Sequence, residues 1–153
     1  MKREAKSLLD TRKIAQKLAT FIKENNNFLI FYLKGNLGSG KTTLVREILK
    51  CLGWSSPVKS PTFSIMEEYI IDDIDIYHAD LYRLKTLNDF EMIGFEPNFR
   101  KRGVLFVEWP EILDSFSQAI EIEINIDIKG QYRIFSFNSA DQKFLSCIDG
   151  VDI

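Results

Sequence analysis

The sequence predicts an α/β fold: a three-layer domain with a mixed, mainly parallel central sheet and one antiparallel hairpin. Three observations support this prediction. Residues 28–33 form a continuous apolar run, FLIFYL, which is typical of a parallel strand buried on both faces. A glycine-rich segment, residues 35–42, follows this strand at once and leads into an amphipathic helical pattern. A second apolar run, residues 104–107, ends in an acidic residue, as buried strands of this class often do.

The N-terminal third of the chain predicts a helix, a strand and a second helix. Residues 7–25 carry apolar side chains at spacings of three and four, and Asn25-Asn26-Asn27 ends this helix. The strand at 28–33 comes next. The helix after the glycine-rich segment bears leucine, isoleucine and valine on one side, and Gly53 ends it.

The rest of the chain predicts mainly strands. Residues 64–71 and 75–81 form a hairpin with an Asp72-Asp73 turn, and residues 84–93 form a short helix that ends near Gly94. Isoleucine alternates with polar residues over 119–128, which predicts a half-exposed strand near a sheet edge. A last strand is expected at 132–137. The tail after Asn138 has no clear pattern, and the whole chain, residues 1–153, is interpreted as one domain.

Composition and charge narrow the class of protein. With 45% hydrophobic and 27% charged residues among 153, the chain is expected to be soluble, globular and cytoplasmic, without a membrane segment. The net charge of −2 does not predict strong direct binding to RNA, and Arg100-Lys101-Arg102 is the only dense basic run. Cys51 and Cys147 do not form a metal-binding pair motif, and the chain has only one histidine.

The segment at residues 35–42, GNLGSGKT, matches the phosphate-binding loop of P-loop NTPases. Gly35, Gly38 and Gly40 allow the backbone to turn tightly and to point successive N–H groups at phosphate oxygens. The N-terminus of the next helix adds positive potential. We expect Lys41, on an exposed loop, to neutralise the β- and γ-phosphates, and Thr42 to ligate Mg²⁺. The loop predicts that ATP or ADP binds together with Mg²⁺.

Phosphate chemistry of this type needs a further acidic group, and two carboxylates stand at predicted strand ends. Glu108 follows the apolar run at 104–107, and Asp80 follows the strand that begins at Asp75. Each is a candidate metal-side or water-orienting acid, with a solvated strand-end carboxylate as the alternative. Thr62 is either a switch that contacts the γ-phosphate or a turn residue. His78, an isolated histidine, is interpreted as structural.

Four short motifs resemble, in order and separation, those of the TsaE family, formerly YjeE. They read GNLGSGKTT at 35–43, SPTF at 60–63, HADLYRL at 78–84 and EWPE at 108–111. The resemblance extends from about Ser7 to Arg133. It implies the ATPase of bacterial threonylcarbamoyladenosine synthesis on tRNA, at position 37 of tRNAs that read ANN codons.

The resemblance also implies roles for individual residues. The residues expected to take part in hydrolysis are Lys41, Thr62, Asp80 and Glu108. Those expected to hold Mg²⁺ are Thr42 and Glu108. Those expected to lie at the nucleotide are Thr11, Leu37, Gly38, Ser39, Gly40, Lys41, Thr42, Thr43, Glu111 and Arg133. Ser39 stands where the family often has alanine.

Two partner proteins, TsaB and TsaD, are implied by the same resemblance. ATP hydrolysis in the family is thought to reset their assembly between turnovers, so we expect a Mg²⁺-dependent ATPase that is slow alone and stimulated by these partners. Two other interpretations fit a phosphate loop on a chain of this size. One is a small-molecule P-loop kinase, and the other is a nucleotide-sensing module without turnover.

Overall fold

The structure, a computed structural model, describes residues 1–152. These residues form one seven-stranded sheet and four α-helices. The strands are β1 Lys2–Ala5, β2 Phe28–Lys34, β3 Met66–Ile71, β4 Ile74–Asp80, β5 Gly103–Glu108, β6 Ile120–Lys129 and β7 Tyr132–Ser139. The helices are α1 Leu8–Glu24, α2 Lys41–Leu52, α3 Leu87–Glu91 and α4 Gln142–Asp149, with a short 3₁₀ turn at Pro110–Ile112.

The sheet is mixed, with a parallel centre and antiparallel borders. Its strand order is β1-β7-β6-β2-β5-β4-β3. The four central strands, β6, β2, β5 and β4, run parallel to one another. The hairpin of β3 and β4 borders them on one side, and the antiparallel strands β7 and β1 border them on the other. The predicted fold class is confirmed.

Both faces of β2 and β5 are buried, as their apolar runs predict. Phe31 packs on the face that carries α1, α2 and α4, whereas Ile30 packs on the opposite face with α3 and the segments around it. These helices, the sheet and the smaller second cluster make up three layers. Among the helices of residues 1–152, none is both long and apolar enough to cross a membrane.

The first helix begins and ends where the sequence predicts. Ser7 accepts a hydrogen bond from the backbone N–H of Asp10 and so caps α1, and Asn25 is its C-cap. Its buried stripe faces the sheet because residues three and four apart share one side of a helix. The members of that stripe are Thr11, Ile14, Ala15, Leu18, Ala19, Phe21 and Ile22.

Two predicted elements differ in extent or place. The helix expected at 84–93 is only Leu87–Glu91, because Thr86 and Asp89 form a capping box that starts it later. Strand β6 shows the predicted alternation, but it lies inside the sheet between β2 and β7 and not at its edge. One face of β6 is only partly covered and carries the polar residues, so the strand alternates between apolar and polar side chains although it lies inside the sheet.

The sequence analysis missed two elements, β1 and α4. Strand β1 has four residues, too few for a clear alternation, and it pairs with β7 at the sheet edge. The tail after Asn138 forms the end of β7 and then α4, which Asp141 caps. Phe144 and Ile148 of α4 are fully buried in the main core. The tail is therefore part of the domain.

Truncation of Phe144 tests how firmly α4 is anchored. Its ring lies 5.3 Å from that of Phe21 and 6.3 Å from that of Phe137, measured between centroids. We expect Phe144→Ala to lower the free energy of unfolding by about 3–5 kcal/mol, because the cavity forms in close-packed surroundings. Urea denaturation measures this loss. Lys143→Ala, an exposed position on the same helix, is the control and should change stability by less than about 0.5 kcal/mol.

Candidate functional site

The site begins with the loop that joins β2 to α2. Gly35, Gly38 and Gly40 all have positive φ angles, of 138°, 75° and 109°. At Gly35 a β-carbon would lie 2.4 Å from the carbonyl oxygen of Ile126, so only glycine fits there. Gly40 caps α2, and its carbonyl accepts from the N–H of Leu44 at 2.9 Å. The loop thus opens onto a helix N-terminus, the arrangement that suits an anion.

Lys41 is buried, so the expectation of a lysine on an exposed loop is wrong. Its side chain is only 5% exposed. Nζ donates to the carbonyl oxygens of Gly35 at 2.7 Å and Asn36 at 3.1 Å, and lies 4.2 Å from the centre of the Trp109 ring. Burial lowers the pKa of Lys41, while the negative charges of Glu108, Asp80 and Glu111 act in the opposite direction. The Lys41 side chain thus ends at the base of the loop, hydrogen-bonded to the loop backbone.

Thr42 and Glu108 place two oxygen atoms side by side. The Thr42 Oγ1 hydroxyl donates to Glu108 Oε1 at 2.7 Å, and Glu108, at the end of β5, is 3% exposed. No group of three or more His, Cys, Asp or Glu side chains suited to a metal occurs within residues 1–152. The pair of Thr42 and Glu108 still suits Mg²⁺, because this ion takes hard oxygen ligands, keeps several waters and completes its shell with phosphate oxygens.

Asp80 lies beside Glu108 because β4 and β5 run parallel and these two residues are in register. It is 5% exposed. Its Oδ2 accepts hydrogen bonds from the hydroxyls of Ser60 at 2.8 Å and Thr62 at 3.1 Å, and its Oδ1 accepts from the N–H of Tyr82 at 3.0 Å. Ser60 and Thr62, in the segment before β3, are therefore hydrogen-bonded to Asp80.

On its other side, the loop borders a cleft of about 270 Å³. Thr11 and Arg133 line this cleft, although they lie at opposite ends of the sequence. Arg133 Nε donates to the carbonyl oxygen of Ser39 at 3.1 Å. The loop residues that share the cleft are Gly38, Ser39, Gly40 and Thr43. The fold thus brings most of the residues predicted for the nucleotide around one opening.

Four of the predicted nucleotide residues do not line this cleft. Lys41 and Thr42 lie at the start of α2, where Thr42 contacts Glu108. Leu37 is at the tip of the loop and is 79% exposed. Glu111 is exposed on the 3₁₀ turn and lines a separate hollow with Lys34 and Asp114. Glu111 affects the loop only through its charge, which acts on Lys41.

A larger hollow, of about 770 Å³, lies on the open face of β6 and contains no residue of the phosphate loop. Its lining includes Tyr32, Glu121, Glu123 and Asp141. Burial and the hydrogen bond to Glu121 raise the pKa of Tyr32. We place the site at the loop and the smaller cleft beside it, because a phosphate needs the loop and the helix N-terminus, and no residue of either lines the larger hollow.

Three side chains that were not among the predicted site residues also contact the site; for one of them, Trp109, the sequence left open a nucleotide or partner contact and core packing. His78 is fully buried and its Nε2 lies 2.8 Å from Glu108 Oε1. Ser60 binds Asp80, and Trp109 packs on both Lys41 and Tyr82. Trp109 has a φ of 58°, which is rare for a bulky residue and typical of functional sites. The only signal in the sequence was that each stands within a motif.

The comparisons with known proteins agree with this geometry. A sequence model of the family described as threonylcarbamoyl adenosine biosynthesis protein TsaE matches residues 5–134. A tRNA threonylcarbamoyladenosine biosynthesis protein TsaE from Haemophilus influenzae is 40% identical over 99 residues, which span 65% of this chain and 63% of that protein. The protein of the same name from Aquifex aeolicus is 37% identical over 128 residues, 82% of this chain and 89% of that protein.

The fold leads to the same group of proteins. The crystal structure of YdiB from Bacillus subtilis superposes with a TM-score of 0.72 and 25% identity, and the match covers 99% of this chain and 93% of that one. The family match covers the phosphate loop, both acids and Arg133. The chain belongs to the TsaE family.

Proposed function

We propose that this protein binds ATP with Mg²⁺ and hydrolyses it as the ATPase component of threonylcarbamoyladenosine synthesis at position 37 of ANN-decoding tRNAs. One observation carries the proposal. A phosphate loop lies next to two buried carboxylates, Asp80 and Glu108, at the ends of adjacent parallel strands. A loop of this kind with a metal-side acid and a second acid contains the parts that phosphoryl transfer to water requires.

In this proposal the loop and α2 bind the β- and γ-phosphates. The backbone N–H groups of Gly40 and Lys41, at the start of α2, would face the anion, and Lys41 Nζ would exchange the carbonyls of Gly35 and Asn36 for phosphate oxygens. Thr42 Oγ1 and the Glu108 carboxylate would hold Mg²⁺. The metal, when bound, neutralises charge that develops on the phosphate oxygens.

Asp80 acts on the attacking water as acceptor and orienting group. Its carboxylate is in register with Glu108, so both acids face the end of the loop. Thr62 already donates to Asp80 at 3.1 Å and would exchange that hydrogen bond when the γ-phosphate is present. Thr62 is thus proposed as a switch, because its partner depends on the nucleotide state.

The cleft lined by Thr11 and Arg133 is proposed to hold the nucleoside. Thr43 borders the same cleft and sits one residue beyond the metal-side Thr42. Arg133 connects β7 to the loop through Ser39 and so fixes the position of the loop relative to the cleft. Leu37 and Glu111 lie outside this cleft, and they are proposed to meet the nucleotide from the loop tip and from the 3₁₀ turn.

TsaB and TsaD are the proposed partners, in the cytoplasm, and tRNA is not proposed to bind directly. The relatives from Haemophilus influenzae and Aquifex aeolicus are named tRNA threonylcarbamoyladenosine biosynthesis proteins. The chain has a net charge of −2, and β6 exposes the carboxylate of Asp127 beside the partly buried Glu121 and Glu123. Binding to RNA phosphates would need clustered lysine and arginine.

The proposal is tested by ATP turnover at near-physiological salt. We expect slow phosphate release from the chain alone, no change with tRNA only, and a rise of about tenfold or more with TsaB and TsaD, which would order the switch around Thr62. A panel of small-molecule acceptors is assayed in parallel. Phosphorylation of an acceptor would identify a kinase, tight ATP binding without ADP would identify a sensing module, and strong stimulation by tRNA alone would contradict the partner model.

A further inference from the structure

His78, the only histidine of the chain, lies fully buried beside Glu108. Its Nε2 atom is 2.8 Å from Glu108 Oε1, and the same oxygen accepts the hydroxyl of Thr42 at 2.7 Å. Its other ring nitrogen, Nδ1, is buried and has no hydrogen-bond partner within residues 1–152. The imidazole therefore makes one polar contact, and that contact is to the metal-side acid.

This geometry selects one form of the ring. A carboxylate oxygen can only accept, so the hydrogen of the contact must be on Nε2. A ring with hydrogen on Nε2 satisfies the contact, whereas a ring with hydrogen on Nδ1 alone would bring two acceptors together at 2.8 Å.

The strand register explains why the ring reaches this oxygen. His78 is opposite Phe106 across β4 and β5, and Asp80 is opposite Glu108. Side chains two residues apart share a face of the sheet, so His78 and Glu108 lie on one side, one step apart along the strands. Both donors, Thr42 and His78, meet Oε1, and no hydrogen bond to Oε2 is formed within residues 1–152.

We propose that His78 is a positioning residue: as a hydrogen-bond donor it fixes the Glu108 carboxylate so that Oε2 stays free for Mg²⁺ or its waters. The inference rests on the proposed role of Glu108 in metal binding. His78 itself touches neither nucleotide nor metal. Its hydrogen bond restricts the rotation of the Glu108 carboxylate before the metal binds, so less conformational entropy is lost on binding. Hydrogen bonds from residues outside the metal's own ligands orient those ligands in the same way in other proteins.

The matched variants are His78→Gln and His78→Met, which have similar shapes but differ in whether the terminal group donates. Calorimetry measures the affinity for a non-hydrolysable ATP analogue in Mg²⁺ and in EDTA. We expect His78→Met to lose about tenfold or more of the gain in affinity that Mg²⁺ provides, with unchanged affinity in EDTA. His78→Gln should keep most of that gain. Ile76→Ala, buried on the same strand face without a polar group, controls for destabilisation.

Two results would overturn the proposal in this assay. One is a His78→Met protein with the full Mg²⁺ gain. The other is an equal loss in His78→Met, His78→Gln and Ile76→Ala, with and without metal, which would identify a packing role only.

A second measurement needs neither a variant nor a nucleotide, so it separates this inference from the proposed function. Nitrogen-15 NMR of the wild-type protein reports the single imidazole directly. We expect a hydrogen on Nε2, the nitrogen that contacts Glu108. A ring that carries its hydrogen on Nδ1 and none on Nε2 would show that His78 does not donate to Glu108 as proposed.

Discussion

Lys41→Ala is expected to abolish measurable ATP binding while the fold is retained. The Nζ atom makes two hydrogen bonds to loop carbonyls, at 2.7 and 3.1 Å, and each would be replaced by a charge-assisted bond to phosphate. Two such bonds, at about 1.5–3 kcal/mol each, correspond to a loss of about 100-fold or more in affinity. Isothermal calorimetry measures this loss.

The control for Lys41→Ala is Lys50→Ala, which removes one exposed positive charge near the end of the same helix. It should bind ATP as the wild type does. Far-UV circular dichroism should be unchanged in both variants, because the core of α2 consists of the apolar residues that face the sheet. Wild-type affinity in Lys41→Ala would contradict the placement of phosphate on this loop.

Glu108→Gln and Asp80→Asn are each expected to reduce ATP hydrolysis by about 100-fold or more. Both changes preserve shape but remove a negative charge from a group that acts on metal or water as charge develops in the transition state. Binding of ATP should fall less than in Lys41→Ala, since the loop and the lysine supply most of the contact with phosphate. Single-turnover assays with saturating ATP separate the chemical step from binding.

Asp114→Asn is the matched control for the two acids, because Asp114 is an exposed carboxylate in the segment that follows β5. It should hydrolyse ATP at the rate of the unchanged protein. If Glu108→Gln and Asp80→Asn both do the same, the catalytic acids lie elsewhere and the proposed site is wrong.

Most of the fold could be predicted because most elements have a recognisable pattern in their own residues. The apolar run of β2, the alternation of β6 and the spacing in α1 each report the burial of one element without reference to any other. The phosphate loop was clear for the same reason, since its glycines, lysine and threonine are neighbours in sequence. Short elements were missed, because four residues in β1 and eight in α4 carry too few positions to establish a period.

The candidate site also has a part that local patterns predict and a part that they do not. The motifs alone identified Lys41, Thr42, Asp80 and Glu108, but not how these residues touch. Thr42 and Glu108 are 66 residues apart in sequence, and His78 and Glu108 are 30 apart. Their contacts follow from the order of parallel strands, which no local pattern specifies.

Sequence alone predicts the α/β class, the phosphate loop and two candidate acids, because these depend on residues close along the chain. The folded chain adds the burial of Lys41 against Trp109, the docking of the tail as α4, and the contact between His78 and Glu108. The physical reason is that burial and hydrogen bonding at a site depend on which distant strands become neighbours.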